Sequence, residues 1–145
     1  MSKKNKLKIA IQGIATSFHE VAAFTYFQKP VTTIECLSFH ALCESLKSGG
    51  ADYAVMAIEN SIAGSILPNY FLLQEYHFSI VGEIYLPIQM HLLALPGVAL
   101  KDIKNIESHP MAIRQCSDYL YKLKDVQIIE SDDTAVSVSY THLTL

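Results

Sequence analysis

The chain has 145 residues, half of them hydrophobic and 17% charged, with a net charge of −3 and a mean hydropathy of +0.24. A chain of this length buries roughly 68–70% of its unfolded surface, enough for one domain or two small lobes, and the composition argues against disorder. The acidic balance argues against nucleic acid, which needs a basic patch, but local geometry at a helix start can still hold a small anion.

The opening stretch, Met1 to Gly13, carries lysines, but Lys8 and Gln12 interrupt its apolar run. It reads as neither a secretory signal nor a membrane span. Leu7 to Ile11 alternates as a strand. Phe18, Val21, Ala22 and Thr25 follow at helical spacing, which predicts a helix with that stripe inward. Val31 to Cys36 is a second strand. Ser38 is suited to cap the next helix, whose stripe is Phe39, Leu42, Cys43 and Leu46, and Gly49-Gly50 ends it. Tyr53 to Ile58 is nearly all apolar, as buried parallel strands are. A helix over about Leu67 to Tyr76 closes a β-α-β-α-β-α series, which predicts a parallel sheet with helices on its faces.

The texture then changes. Ser79 to Leu95 holds two strand-like runs broken at Pro87, and Pro96-Gly97 reads as a turn. A short helix near Leu100 to Ile103, a strand at Ile106 to Ser108, a helix from Met111 to about Leu123 and a strand at Val126 to Glu130 complete the pass. This predicts an α/β chain of two lobes, residues 1–82 and 83–137, each incomplete, with the crossing near Gly82 to Pro87. Asp133 to Val136 reads as the opening of a further helix. The last eight residues, "VSYTHLTL", break that pattern and resemble the translation of a sequencing-library adapter. Residues 138–145, His142 included, are therefore set aside as a non-native tail.

Cys36, Cys43 and Cys116 are odd in number and follow no metal spacing, which fits reduced, packed thiols in a cytoplasmic protein. No histidine pair has zinc-ligand spacing, so neither a metal nor a cofactor is expected. His19 and His40 read as helix-surface or boundary residues, His77 and His91 as packing residues.

Three strand-to-helix junctions have the same chemical character. They are "QGIATSFHE" (Gln12 to Glu20), "ENSIAGS" (Glu59 to Ser65) and "SHPMAIRQC" (Ser108 to Cys116). Each places small or hydroxyl residues at a helix start, where free N–H groups and the helix dipole favour anions. In parallel sheets such junctions lie at the carboxyl ends of strands, where ligands bind. Taken singly, each junction reads equally as an ordinary cap. Taken together, they suit a small molecule with more than one carboxylate, held between two lobes.

The three junctions together resemble the prephenate dehydratase family. "ADYAVMAIENSIAGSI" is similar to its A-D-x-G-V-V-P-I-E-N-S-x-x-G-S-V signature, "GEIYLPIQMHLLA" to its G-E-I-x-L-P-I-x-H-x-L-L stretch, and "SHPMAIRQCSDYL" to its S-H-P-Q-A-L-x-Q-C segment. "GIATSFHEVAA" resembles the family's G-P-E-G-T-F-S start, and "SDDTAVS" its S-x-x-T-A-x-A. Order and spacing match along Leu7 to Ser137.

The resemblance implies two α/β lobes like a type II periplasmic binding protein, with the active site between them. It also implies cofactor-free loss of water and carbon dioxide from prephenate to give phenylpyruvate, for phenylalanine biosynthesis. It places Ser17, Asn60, Ser61, Gly64, Ser65 and His109 in the substrate cleft and makes Gln115 and Cys116 structural. Ile14, Ala15 and Thr16 stand where the family has Pro-Glu-Gly, Ala57 where it has Pro, and Met111 where it has Gln. The family's catalytic Thr-Arg-Phe motif and its regulatory ACT domain are expected beyond Ser137. The chain therefore reads as an amino-terminal fragment, inactive alone, of a cytoplasmic enzyme that is a homo-oligomer at full length. The alternatives are arogenate dehydratase and a non-catalytic two-lobe module that binds small carboxylates.

Overall fold

A computed structural model describes residues 6–131 and the backbone of Leu143–Thr144. The chain is α/β with parallel-rich sheets and divides into two compact units, Met1–Pro87 and Ile88–Leu145.

In the first unit, β1 (Leu7–Gln12) lies between β2 (Val31–Cys36) and β3 (Tyr53–Val55), all parallel. Helices α1 (Phe18–Phe27) and α2 (Phe39–Lys47) are the crossovers. Because β1 is central, both its faces are buried. Ile9 and Ile11 pack with Ala23, Val31 and Phe27 on the α1 side, and Ala10 packs with Leu42 and Cys43 on the α2 side. The two isoleucines are fully buried, each contributing about 1.5–3 kcal/mol.

Helix α2 keeps its expected inward stripe and both expected ends. Ser38 Oγ accepts the Ala41 N–H, and Gly49, at φ 77°, begins a Schellman stop in which the Gly49 and Gly50 N–H groups bond the Leu46 and Ser45 carbonyls. The stripe expected for α1 is corrected. Ala22 and Ala23 are its buried residues, while Phe18 and Val21 stay exposed. Apolar residues occur on both sides of this helix, and the alanines let it approach the sheet most closely.

The third strand is shorter than expected. Pairing with β1 ends at Val55, opposite Ile11, and Met56 to Ile58 continues without a ladder. Two short strands follow, β4 (Glu59–Asn60) and β5 (Gly64–Ser65). Helix α3 (Leu67–Glu75) holds the Met56 to Ile58 segment: its buried Asn69 donates from Nδ2 to the Ala57 carbonyl at 2.7 Å.

The two strand-like runs expected over Ser79 to Leu95 carry no strand ladder among the described residues, apart from a single bridge residue at Leu93. β-like composition does not suffice for a strand, because the element exists only with a partner. Gly82 lies directly against the Tyr26 ring of α1, which ties this run to the first unit. His77 and His91, expected to pack, are exposed, and His77 adopts a left-handed φ of 54° just after α3.

The second unit is built on β6 (Asn105–Ser108), parallel to β7 (Gln127–Glu130) and to β8 (Leu143–Thr144). The Pro96-Gly97 turn forms as expected, with Gly97 at φ 90° and the Val98 N–H bonded to the Leu95 carbonyl. A 3₁₀ turn covers Leu100–Asp102. The single helix expected from Met111 is two short ones, α4 (Pro110–Gln115) and α5 (Ser117–Leu120), broken at Cys116 (φ −101°, ψ 7°). The break turns Leu120 inward to join Ile103 and Ile106 in the core, with Cys116 packed alongside. The three cysteines are free thiols, and burial raises the pKa of each above its ordinary value. The helix opening expected at Asp133 to Val136 and the residue His142 lie outside the described residues.

Candidate functional site

The loop between β1 and α1 turns through two left-handed residues, Gly13 (φ 96°) and Thr16 (φ 71°). Ser17 caps α1, its Oγ accepting the Glu20 N–H at 3.3 Å. Glu20 reaches back: one carboxylate oxygen accepts the Thr16 N–H at 2.7 Å and the other the Thr33 hydroxyl at 2.8 Å. Glu35 accepts the Ala15 N–H at 2.7 Å. The expectation that the N–H groups of this junction are free is thus corrected. Two of them are held by carboxylates of the protein itself, because Ser17 and Glu20 have the spacing of a capping box. That spacing is the signal that identifies Glu20.

The second junction is corrected in kind. Glu59–Asn60 and Gly64–Ser65 pair as a small antiparallel hairpin, β4 with β5, before any helix starts. Asn60 Oδ1 accepts the N–H groups of Ile62 (2.9 Å) and Ala63 (3.1 Å), which closes the tip, and Gly64 supplies a φ of 77°. The Ile66 N–H then bonds the Ile58 carbonyl, so Ile66 becomes the residue before α3. Ser61 sits exposed at the hairpin tip and Ser65 exposed opposite Glu59, and neither caps α3. An Asn-Ser-Gly run reads equally as an Asx turn or a helix cap, and here the turn wins.

In the second unit, β6 ends at the fully buried Ser108. His109 caps α4, its Nδ1 accepting the Met111 N–H at 3.1 Å, which places the proton of the neutral ring on Nε2. Beside it is a cavity of about 360 Å³ lined by His109, Pro110, Glu130 and Ser131. Gln115 and Cys116 lie one turn further on, at the end of α4.

One pattern unites Ser17, Asn60 and His109. Each uses an acceptor atom to hold its own backbone turn. Each then retains a donor: a hydroxyl hydrogen, an amide NH₂, an imidazole Nε2–H. Donors held in place by the backbone suit carboxylates and other oxygen-rich ligands. Among the described residues, no group of three or more His, Cys, Asp or Glu is placed to hold a metal ion, and no helix is long and apolar enough to cross a membrane.

A family model described as prephenate dehydratase matches residues 9–143. The chain is 40% identical over 133 residues to "Arogenate dehydratase/prephenate dehydratase 1, chloroplastic" of Arabidopsis thaliana, covering 92% of this chain and 33% of that protein. Two solved structures are similar to it. A prephenate dehydratase from Arthrobacter aurescens in complex with L-Phe has a TM-score of 0.79 at 29% identity, over 92% of this chain and 45% of that one. GqqA, described as a novel type of quorum quenching acylase, has a TM-score of 0.73 at 31% identity, over 90% of this chain and 47% of the other. The chain spans about a third of the length of the curated relatives it matches. With its model matched along nearly the whole sequence, the chain belongs to the prephenate dehydratase family.

Proposed function

We propose that the chain carries the substrate-binding elements of a prephenate dehydratase and is inactive alone. The reaction converts prephenate to phenylpyruvate, water and carbon dioxide in L-phenylalanine biosynthesis. Aromatisation drives it, so the protein need only hold a dianion and help the ring hydroxyl leave. The finer fold assigned is the two-lobe, type II periplasmic-binding-protein-like arrangement. The substrate contacts proposed are Ser17, Asn60, Ser61, Gly64 and Ser65 in the first unit and His109 in the second. A cytoplasmic setting and a homo-oligomeric full-length enzyme complete the reading.

The observation that carries it is the retained donors at Ser17, Asn60 and His109, on the residues where the family's motifs fall. These donors suit the two carboxylates of prephenate. Arogenate dehydratase is the second reading, favoured by the name of the Arabidopsis relative. It applies the same donors to a substrate with an ammonium group in place of the side-chain ketone.

Asn60→Asp tests the reading. It keeps the acceptor that closes the hairpin and removes the NH₂ donor. Calorimetric titration of the chain with prephenate, and in parallel with arogenate, should show saturable binding that the variant weakens at least tenfold, about 1.4 kcal/mol. The unfolding midpoint should stay within experimental scatter. If binding survives while stability falls, Asn60 is only a cap. Phenylpyruvate formation by the isolated chain would overturn the claim that it is inactive alone.

A further inference from the structure

His19 is the second residue of α1, and its ring meets Phe39, the first residue of α2, edge-on at a centroid distance of 5.5 Å. Its Nε2 is buried and has no hydrogen-bond partner, an unusual condition that asks for an explanation. We propose that His19 is an acid-sensitive latch: the neutral ring holds the first turns of α1 and α2 together, and protonation loosens the Gly13–Ser17 loop.

Three physical terms act in one direction. An imidazolium carries hydrogens on both nitrogens, so charging leaves a buried Nε2–H donor without an acceptor. A charge is withdrawn from water. The cation also sits at the starts of two helices, the positive ends of their dipoles.

The neighbouring charged groups are bonded elsewhere. On α1, Glu20 is held by the Thr16 N–H and the Thr33 hydroxyl. On α2, Glu44 accepts the Tyr76 hydroxyl, His40 lies 3.1 Å from that same oxygen, and Lys47 stands over the Tyr76 ring. On β2, Glu35 holds the Ala15 N–H. None of them bonds Nε2. Burial accordingly lowers the His19 pKa below its usual 6.5.

The sign follows from linkage. The folded state binds the proton less readily than the unfolded one, so this contribution is complete above pH 6.5 and is lost as the pH falls from there through the folded pKa. The loop bears Ser17 and the Glu20–Thr16 bond, and it is the part expected to open first. The proposal concerns the first unit alone and does not depend on the identity of the substrate.

Two measurements on the 145-residue chain test it. The six histidines are titrated by NMR, with His19 assigned from the spectrum of His19→Phe. Urea midpoints are recorded for the wild type and His19→Phe from pH 7.5 to 5. The expected result is a His19 ring that titrates below 6.5, a wild-type midpoint that falls on acidification, and a flatter profile for the variant. Exchange of the Ala15 and Thr16 amides should also accelerate on acidification beyond its intrinsic pH dependence. A ring that titrates at or above 6.5, or identical pH slopes in the two proteins, overturns the proposal. Should His19→Phe fail to fold, the wild-type titration decides alone, with His19→Leu used for assignment.

Discussion

Gly82 lies flush against Tyr26. A methyl group built there stands 2.7 Å from Cζ and 2.9 Å from Cε2 of the ring, and against the hydroxyl oxygen itself. Carbon atoms prefer separations of about 3.5–4.0 Å, so Gly82→Ala forces the ring or the Val81–Glu83 backbone back by roughly 1 Å. Overpacking of this kind costs about 1–3 kcal/mol. An opposing term exists, because Gly82 is not in the left-handed region, and alanine then gains about 0.4–1 kcal/mol by restricting the unfolded chain. The clash wins, leaving a net loss of about 0.5–2 kcal/mol, or a drop in Tm of about 2–6 °C.

The chain has no tryptophan, so urea unfolding is followed by far-UV circular dichroism. The decisive comparison is Gly82→Ala in a Tyr26→Ala background, where the ring is gone and the same substitution should become stabilising. A double-mutant cycle isolates this coupling. If Gly82→Ala is neutral or stabilising with Tyr26 present, the packing of this run on α1 is wrong.

Thr16 holds a φ of 71° where the resembling family has glycine. A β-branched residue in that region carries about 1–2 kcal/mol of strain, against the ~0.5–1 kcal/mol entropic cost of glycine. Thr16→Gly should therefore raise stability by up to about 1 kcal/mol in urea unfolding, since the Thr16 N–H that bonds Glu20 is retained. A destabilised variant would refute the left-handed loop. The Tyr76 phenol is pushed up to about 12, chiefly because the Glu44 carboxylate accepts its hydrogen bond. Ultraviolet titration should show it ionising about two units above an ordinary tyrosine, and Glu44→Gln should bring it back towards 10. The folded pKa is raised, so this contribution to stability is whole below pH 10 and disappears as the pH rises through 12.

Most of the first unit can be read from its residues because its periods are clean. The β1–α1–β2–α2–β3 order follows from alternating strands, a Ser38 cap and a two-glycine stop. What cannot be read depends on partners remote in sequence. Ser79 to Leu92 has the composition of a strand but no neighbour to pair with among the described residues. The inward face of α1 escapes the periodicity because volume decides it: alanines fit against the sheet where Phe18 and Val21 do not. At the site, the acceptor side of Ser17 and His109 is legible as capping chemistry. The carboxylates of Glu20 and Glu35 on the first loop are not among the expected site residues, although Glu20 has capping-box spacing. Glu35 is brought there by the neighbouring strand, and no local pattern marks it.

The run after α3 has a consequence for handling the molecule. Ile80, Val81 and Tyr85 are 63%, 69% and 82% exposed, on backbone without a ladder. Unpaired extended backbone flanked by apolar side chains is a template for another chain's strand, and such edges drive association and precipitation. Glu83 and Pro87 interrupt the run at intervals of a few residues. A charge and a missing N–H are the two chemical devices that stop edge-to-edge growth. The colloidal behaviour of the chain therefore depends on these two side chains, neither of which is among the proposed substrate contacts. Neutralising Glu83 is thus the substitution that exchanges solubility for self-association.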